Sequence, residues 1–502
     1  MTSAPAVRQT AAQGFRGNDK LLTGIVLGVL TFWMFAGTVG TVARAILSDI
    51  NGGPIDEVAN PNVTLDQMNL AVSITALFSG LFIVFMGGLA DRIGRVRIAI
   101  FGNVLGIVGS VLIILANGSL ALPLLLSGRA IQGLSAACIM PATMALVKAY
   151  WDGPARQRAV SMWSIGSWGG SGLAAIFGGF LASNFNWRII FYVSVVISVV
   201  AILLMWGTPE SKAEPQAHRR FDVPGLLIFM VSVLALMILL IFGRQLGWTR
   251  PLTLGLAAVA VVGLTVFVLF EKRQANPFID FALFRNVTFT GATISNFVLN
   301  ATIGMLIVSQ QMLQIARPEL FDPWKAGLLT LGYAIAIIAF IRVGERLLRA
   351  FGPRKPMVWG ATIVAVSCAL LVPTNILVGP YTVLAVIAYT LFGLGLAFYA
   401  TPSTDAALSN LPPAQAGAGA GIYKMASSLG GAIGAALSLT IFTSFLGEGV
   451  TIVGEVLHTQ GIQENAAVRQ AGMVTFMFNV VLALIAIISI TVTVPKGKKY
   501  YD

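Results

Sequence analysis

Apolar runs long enough to cross a bilayer recur along this 502-residue chain, and they constrain its fold more than any single motif. About 20 apolar residues in a helix span the hydrocarbon core. Helix is forced there, because no water is present to hydrogen-bond the backbone N–H and C=O groups. Such runs occupy 21–47, 67–90, 97–117, 121–150, 158–183, 186–207, 223–243, 250–271, 287–315, 323–343, 355–376, 380–409, 417–446 and 468–494. Polar material is too scarce for an alternative. Charged residues make up 10% of the chain, against about 25% in soluble domains. The expectation is an all-α integral membrane protein with 14 transmembrane helices.

A formal net charge of +12 would suggest nucleic acid in a soluble protein. In a polytopic chain, Lys and Arg instead collect on cytoplasmic loops. With the N-terminus inside, 23 of the 32 Lys and Arg fall on cytoplasmic segments and seven on external ones, while Arg129 and Lys424 lie within spans. Nucleic acid is excluded as a partner, and both termini are placed in the cytoplasm. Cys138 and Cys368 fall in spans and read as small packing residues. His218 and His458 sit in opposite loops, so neither a metal site nor a cofactor is expected. The first run is too long for a signal-peptide core and lacks a small-residue cleavage site.

Internal repetition divides the chain. Pro141-Ala-Thr143 recurs as Pro402-Ser-Thr404, 261 residues on, and Arg92-Ile-Gly94-Arg95 has an echo in Ala350-Phe-Gly352-Pro-Arg354, 258 residues on. Small residues spaced by four at Gly166, Gly170, Ala174 and Gly178 recur as Ala426, Gly430, Gly434 and Ser438, 260 residues on. A common separation points to two pseudo-symmetric six-helix bundles with two inserted linker helices, and internal repeats of this kind mark transporters. The division is a tail at 1–20, a bundle at 21–207, linkers and the inserted pair at 208–286, a bundle at 287–494 and a tail at 495–502. The longest external loops are 49–66 and 446–470.

Two motifs carry more specific information. Gly87-Gly-Leu89-Ala-Asp91-Arg92-Ile-Gly94-Arg95-Val-Arg97 joins spans 2 and 3. Its glycines allow close packing, Asp91 can accept from a helix N-terminus, and the arginines can pair with carboxylates. Arg129-Ala-Ile-Gln132-Gly133 places a cation inside span 4. That costs roughly 2.5–3.5 kcal/mol on insertion scales, so Arg129 is read as functional or paired. These residues resemble the signature loop and the span-4 arginine motif of the major facilitator superfamily. Fourteen spans with two inserted between the halves look like its drug:proton antiporter branch. Within it, Ala71–Gly80, Trp163–Gly172 and Gly421–Gly431 are similar to the NorB/NorC-type quinolone-efflux group.

The resemblance implies the major facilitator fold, a conformational-gating role for Gly87, Asp91, Arg92, Gly94 and Arg95, and a helix-packing role for Gly166, Gly170, Gly178, Gly179, Gly430 and Gly434. It also implies a bacterial cytoplasmic membrane, multidrug efflux, and a proton gradient as energy source. The chain departs from the branch where Ala174-Ala175 stand in place of Gly-Pro ahead of Gly178-Gly179. The quaternary-ammonium exporters of the branch carry carboxylates where this chain has Phe35, Tyr423, Lys424 and Ser428.

The few ionisable residues within spans are Arg129, Asp405 and Lys424, the candidates for proton coupling. Asp405 and Lys424 are placed to meet across a short loop, either as a pair that gains and loses a proton or as a static salt bridge. Trp33, Met34, Phe35, Trp163, Trp168, Tyr399 and Tyr423 are candidates to line an adaptable cavity, and Asn296, Asn300, Gln310 and Gln311 supply uncharged hydrogen-bonding groups. Interfacial belts are the competing reading for about half of the aromatics. With two bases against one acid inside, zwitterionic, neutral or anionic amphipaths fit better than cations. Two functions stay open: proton-coupled multidrug efflux, and dedicated export of one endogenous metabolite, lipid or siderophore. No cluster of nucleophile, base or metal ligands argues for an enzyme, and no Walker-type loop argues for nucleotide use. A monomer in the lipid bilayer, with a small amphipathic substrate and protons as partners, is expected.

Overall fold

The computed structural model describes residues 15–53, 61–152, 170–212, 222–274, 277–408, 416–446 and 465–496, with isolated positions between 155 and 167 and at 411. Most of both expected tails and the interiors of both long loops lie outside these residues, as do Trp168 and the side chain of Phe35. Every described element is helical, with no strand among them.

Local signals set the helix ends. The Asn18 side chain accepts from Leu21 N at 2.9 Å and opens α1 (Asp19–Asn51). Thr64 and Gln67 form a capping box on α2 (Leu65–Ile93). Gly94, at φ +137°, lets α3 (Arg95–Ile114) begin one residue after α2 ends. Next come α4 (Ala121–Tyr150), α5 (Gly170–Asn184) and α6 (Arg188–Met205), then α7 (Val223–Leu246) and α8 (Pro251–Glu271), which starts on a proline. The remainder holds α9 (Val287–Ala301), α10 (Gly304–Ala316), α11 (Pro323–Leu328), α12 (Leu331–Phe351), α13 (Arg354–Leu371), α14 (Val378–Leu408), α15 (Ala416–Leu446) and α16 (Ala466–Thr493).

Twelve helical stretches among the described residues are long and apolar enough to cross a membrane, with α9–α10 and α11–α12 each counting as one. α1 bends by 52° between Met34 and Thr38 and gives a thirteenth if taken as a single span. The run expected at 158–183 is described as helix from Gly170 onward. The spans expected at 287–315 and 323–343 are found at Val287–Ala316 and Pro323–Phe351, each with a short interruption of its helical ladder. A threonine hydroxyl bonded to a preceding carbonyl lies at each interruption and at the bend of α1. Thr302 donates to Leu299 O at 2.6 Å, Thr330 donates to Gly327 O at 2.7 Å, and Thr38 donates to Met34 O. A threonine bonded to a carbonyl three or four residues back competes with the helical ladder and bends it.

The helices sort into two groups by packing. In the first, α4 lies against α2 and α3, and α1 against α5 and α6; in the second, α14 lies against α12 and α13, and α9 against α15 and α16. α7 and α8 pack on one another and touch α2 and α15 through α7. The groups meet along two seams, α2 with α15 and α5 with α11. Apolar residues such as Leu252, Val261, Val262 and Leu269 of α8 face outward, where lipid covers them.

The repeated glycine stripes occupy corresponding seats. A Cβ on Gly166 or Gly170 would press on Val26 or on Leu30 and Trp33 of α1, and one on Gly178 on Thr38. A Cβ on Gly430 or Gly434 would press on the carbonyl oxygens of Phe297 or Ala301 in α9, at 2.1 and 2.2 Å. Each stripe thus holds its helix tight against the bent or broken first span of its own group. Gly179 differs. It faces across the seam, its missing Cβ 2.2 Å from Pro323 O.

Candidate functional site

Where Trp33 of α1 comes near Lys424 of α15, with α9 and α14 packed on α15, six of the residues singled out in the sequence come together. Asn296 Nδ2 donates to Tyr423 O at 2.9 Å, and Asn300 Nδ2 donates to Asn296 Oδ1 at 2.9 Å. Tyr399 and Ser295 share a hydroxyl hydrogen bond of 2.6 Å, as do Tyr423 and Ser403. Lys424 Nζ stands 5.9 Å from the centroid of the Trp33 ring, on the other side of the division between the groups. That contact is a cation–π geometry. Asn296, Tyr399 and Tyr423 are buried, whereas Trp33 and Asn300 keep part of their surface open. The result is a polar, aromatic-walled patch on the second group, faced by a tryptophan of the first.

The remaining candidates lie elsewhere. Gln310 joins the contact between the groups further along: Thr41 Oγ1 donates to Gln310 Oε1 at 2.5 Å, and Gln314 Nε2 donates to Thr41 O at 3.1 Å. Trp163 is buried within the first group and donates from Nε1 to Thr143 Oγ1 at 3.0 Å. Asp405 is half-buried on the last turn of α14, two residues past Ser403.

Arg129 is fully enclosed, so it does not snorkel to the surface. Its Nε donates to Ala71 O at 2.9 Å, Nη2 to Val72 O at 3.3 Å and Nη1 to Gln132 Oε1 at 3.1 Å. Gln132 passes the chain on to Ser110 at 3.2 Å, and Ser110 to Ser194 at 3.0 Å. One guanidinium therefore ties four helices of the first group together.

The loop between α2 and α3 is a built joint. Arg95 Nε donates to Asp91 Oδ1 at 2.9 Å and Nη1 to Ser211 Oγ at 3.1 Å. Glu210 accepts from Val96 N at 2.8 Å and Arg97 N at 3.2 Å, placing a carboxylate on the first turn of α3. Gly94 is required here, since its Cβ would lie 2.3 Å from the Glu210 carboxyl carbon. At the other end of the same helices, Asp49 holds Arg188 and accepts from Trp187 Nε1 at 3.1 Å. Arg188 also donates to Ile114 O and Ala116 O, both at 3.1 Å, closing the end of α3.

The family model described as Major Facilitator Superfamily matches residues 21–435 and 288–499. The chain belongs to the major facilitator superfamily. It is 43% identical over 490 residues to the quinolone resistance protein NorB of Staphylococcus aureus strain COL, covering 98% of this chain and 99% of that protein. It is 46% identical over 436 residues to NorB of strain MRSA252, covering 87% and 91%. Two solved structures share the fold. The peptide transporter POT in complex with sulfate has a TM-score of 0.66 at 15% identity, with 98% of each chain covered. The POT family transporter PepTSo has a TM-score of 0.65 at 14% identity, covering 97% of this chain and 99% of that one.

Within this major facilitator superfamily chain, some working residues gave little warning in the sequence. Glu210 follows α6 in an ordinary-looking Thr-Pro-Glu-Ser run, and only tertiary folding carries it 114 positions back to Val96. Ser403 carried only an indirect signal, lying between the repeated Pro and Thr at the position where the first copy has Ala142. Thr41 and Ser295 are isolated hydroxyls in apolar runs, a pattern common to packed helices.

Proposed function

We propose that this chain exports amphipathic compounds, zwitterionic or neutral and quinolone-like, across the bacterial cytoplasmic membrane in exchange for protons. The observation that carries the reading is Lys424 over Trp33 across the two helix groups. A flat aromatic body can pack on Trp33 and Tyr423 while a carboxylate of the same molecule meets the ammonium of Lys424. Asn296 and Asn300 offer amides to whatever polar groups remain. Because the two sides of this site belong to different groups, rocking one group against the other changes how well a substrate is held, as alternating access requires.

In this reading the end bearing Arg92, Arg95 and Arg97 faces the cytoplasm. The segment 158–183 completes a monomer of six, two and six spans, and the proton gradient drives transport without a cofactor. Asp405 and Lys424 are the residues through which protons would act, while Arg129, the third candidate, keeps its proton and is held by acceptors of the first group. The names of the NorB relatives support the substrate class.

Proteoliposomes with an imposed pH gradient test it. Asp405→Asn is expected to lose gradient-driven transport of a fluoroquinolone while keeping its binding. Lys424→Ala is expected to weaken binding of the carboxylate by about 10- to 100-fold, the worth of a charge-assisted hydrogen bond, and binding of its methyl ester far less. Normal transport by both variants would sink the proposal. Sensitisation of cells lacking the protein to one metabolite alone, and to no drug, would favour the dedicated exporter.

A further inference from the structure

Two carboxyl groups outside the site face one another where α7 begins and α8 ends. Asp222 and Glu271 are 8% and 2% exposed. Asp222 Oδ1 accepts from Gly225 N at 2.8 Å, and Glu271 Oε2 accepts from Ile279 N at 2.9 Å. Each has one oxygen left over, Asp222 Oδ2 and Glu271 Oε1, buried and without a hydrogen-bond partner of its own, although the backbone N–H of Phe278 also acts on the Glu271 carboxyl. Both converge beside Gly225, 2.6 and 2.0 Å from where a Cβ on that residue would stand. The two carboxyl groups are within hydrogen-bonding reach of each other.

Among the described residues, no cation pairs with either carboxyl group, and Asp222 is the charged group acting on Glu271. Lys272 and Arg273, next along the chain, are exposed, and Asp280 caps its own turn through Ala282 N. On α2, which α7 touches, Asp91 is paired with Arg95. Two buried carboxylates side by side are not stable as a double anion, whereas one proton between them turns the repulsion into a hydrogen bond.

We infer that Asp222 and Glu271 bind one shared proton, and that this proton fastens the segment 277–285 to the inserted helices. What the segment connects gives the site its consequence. Aromatic rings run without a break from the inserted pair into the second group: Phe229 with Phe267 at 4.9 Å and with Phe278 at 6.0 Å, Phe267 with Phe281 at 6.1 Å, Phe281 with Phe284 at 6.0 Å, and Phe284 with Phe289 at 5.6 Å. Phe289 lies in the first turn of α9, the helix that carries Asn296 and Asn300. With the proton bound, Glu271 holds Ile279 and the ring series is seated. When the proton leaves to water, two adjacent anions push α7 and α8 apart at this end, and the segment leading into α9 is released. The inserted pair is thus a proton-sensitive fastening beside the transport path, independent of any substrate.

Hydrogen exchange of the full-length protein in detergent, corrected for intrinsic rates and stepped from mildly acidic to mildly alkaline buffer, reads this directly. Protection of peptides covering 277–289 is expected to fall with rising pH, by up to about tenfold per pH unit, the limiting slope for one linked proton. Glu271→Gln should keep the segment protected throughout, because its amide donates to Asp222 Oδ2 while its oxygen still accepts from Ile279 N. Glu271→Ala should leave it unprotected throughout. The inference is overturned if wild-type protection is flat with pH or if Glu271→Gln follows the wild-type curve. It is also overturned if sodium, magnesium or calcium restores protection in alkaline buffer, since a cation and not a proton would then be the ligand. Because no substrate is present, failure here leaves the export proposal untouched.

Discussion

Arg129 and Lys424 both sit well inside the spans, yet their surroundings differ in kind. Among the described residues, Arg129 donates to Ala71 O, Val72 O and Gln132, which lie within the first helix group. Lys424 meets the ring of Trp33, which belongs to the other group. A guanidinium is a rigid planar fork that suits fixed acceptors, while an ammonium on a four-carbon stem adjusts to a partner that moves. A charge held inside one group stabilises that group in every conformation. A charge facing across the division changes its contacts whenever the groups move, and there a transported molecule can compete for it.

The strongest way to break this distinction is Arg129→Ala. Several buried acceptors lose their donor, so a loss of about 2–4 kcal/mol is expected, seen as a lower unfolding temperature in detergent. Arg129→Lys should not restore it, lacking the fork. If Arg129→Ala unfolds normally and fails only in transport, the two cations belong to one class and the comparison collapses.

The glycine stripes sharpen the contrast between the groups. Gly434→Ala drives a methyl toward the Ala301 carbonyl, 2.2 Å away, where backbone has nowhere to go. Gly178→Ala meets the side chain of Thr38, which can yield only by giving up its bonds to Met34 O and Ala174 O and so still gives more readily than main chain. The first should cost about 1–3 kcal/mol and the second no more than about 1. Equal losses in unfolding temperature would mean that both seats are equally rigid.

Smallest is the change at Trp33. Trp33→Ala removes the aromatic face on which a flat substrate packs, worth about 0.5–1.5 kcal/mol, so substrate binding should weaken by about 2- to 10-fold. Trp33→Phe should recover part of the loss. A fall in stability instead would make Trp33 a packing residue.

Hydropathy made the spans legible because the bilayer leaves the backbone no choice, and the 260-residue repeat already paired the stripe of Gly166–Gly178 with that of Ala426–Ser438. What it could not convey is where a span breaks. Residues 299–305 are as apolar as their neighbours, yet the helical ladder is interrupted between Ala301 and Gly304, where the Thr302 hydroxyl turns back to Leu299 O. The site was legible by residue type. Trp33, Asn296, Asn300, Tyr399, Tyr423 and Lys424 converge, whereas Trp163 and Gln310, equally plausible in the sequence, face partners of their own. Direction around a helix decides between them, and the bend in α1 shifts that direction. Glu210 was illegible for a simpler reason, since its partner lies more than a hundred residues away.

The seam between α5 and α11 has a consequence for descent. Gly179 lies against Pro323 O, and Gly327 reciprocally against Ala175 O, its missing Cβ 2.4 Å away. Main chain meets main chain at both points, so any heavier residue at either glycine wedges the two groups apart. Selection for a new cargo cannot use these positions without disturbing closure itself. Inherited change in what the protein carries is steered toward Trp33, Asn300 and Tyr423, where the surface is made of side chains that can be exchanged one at a time.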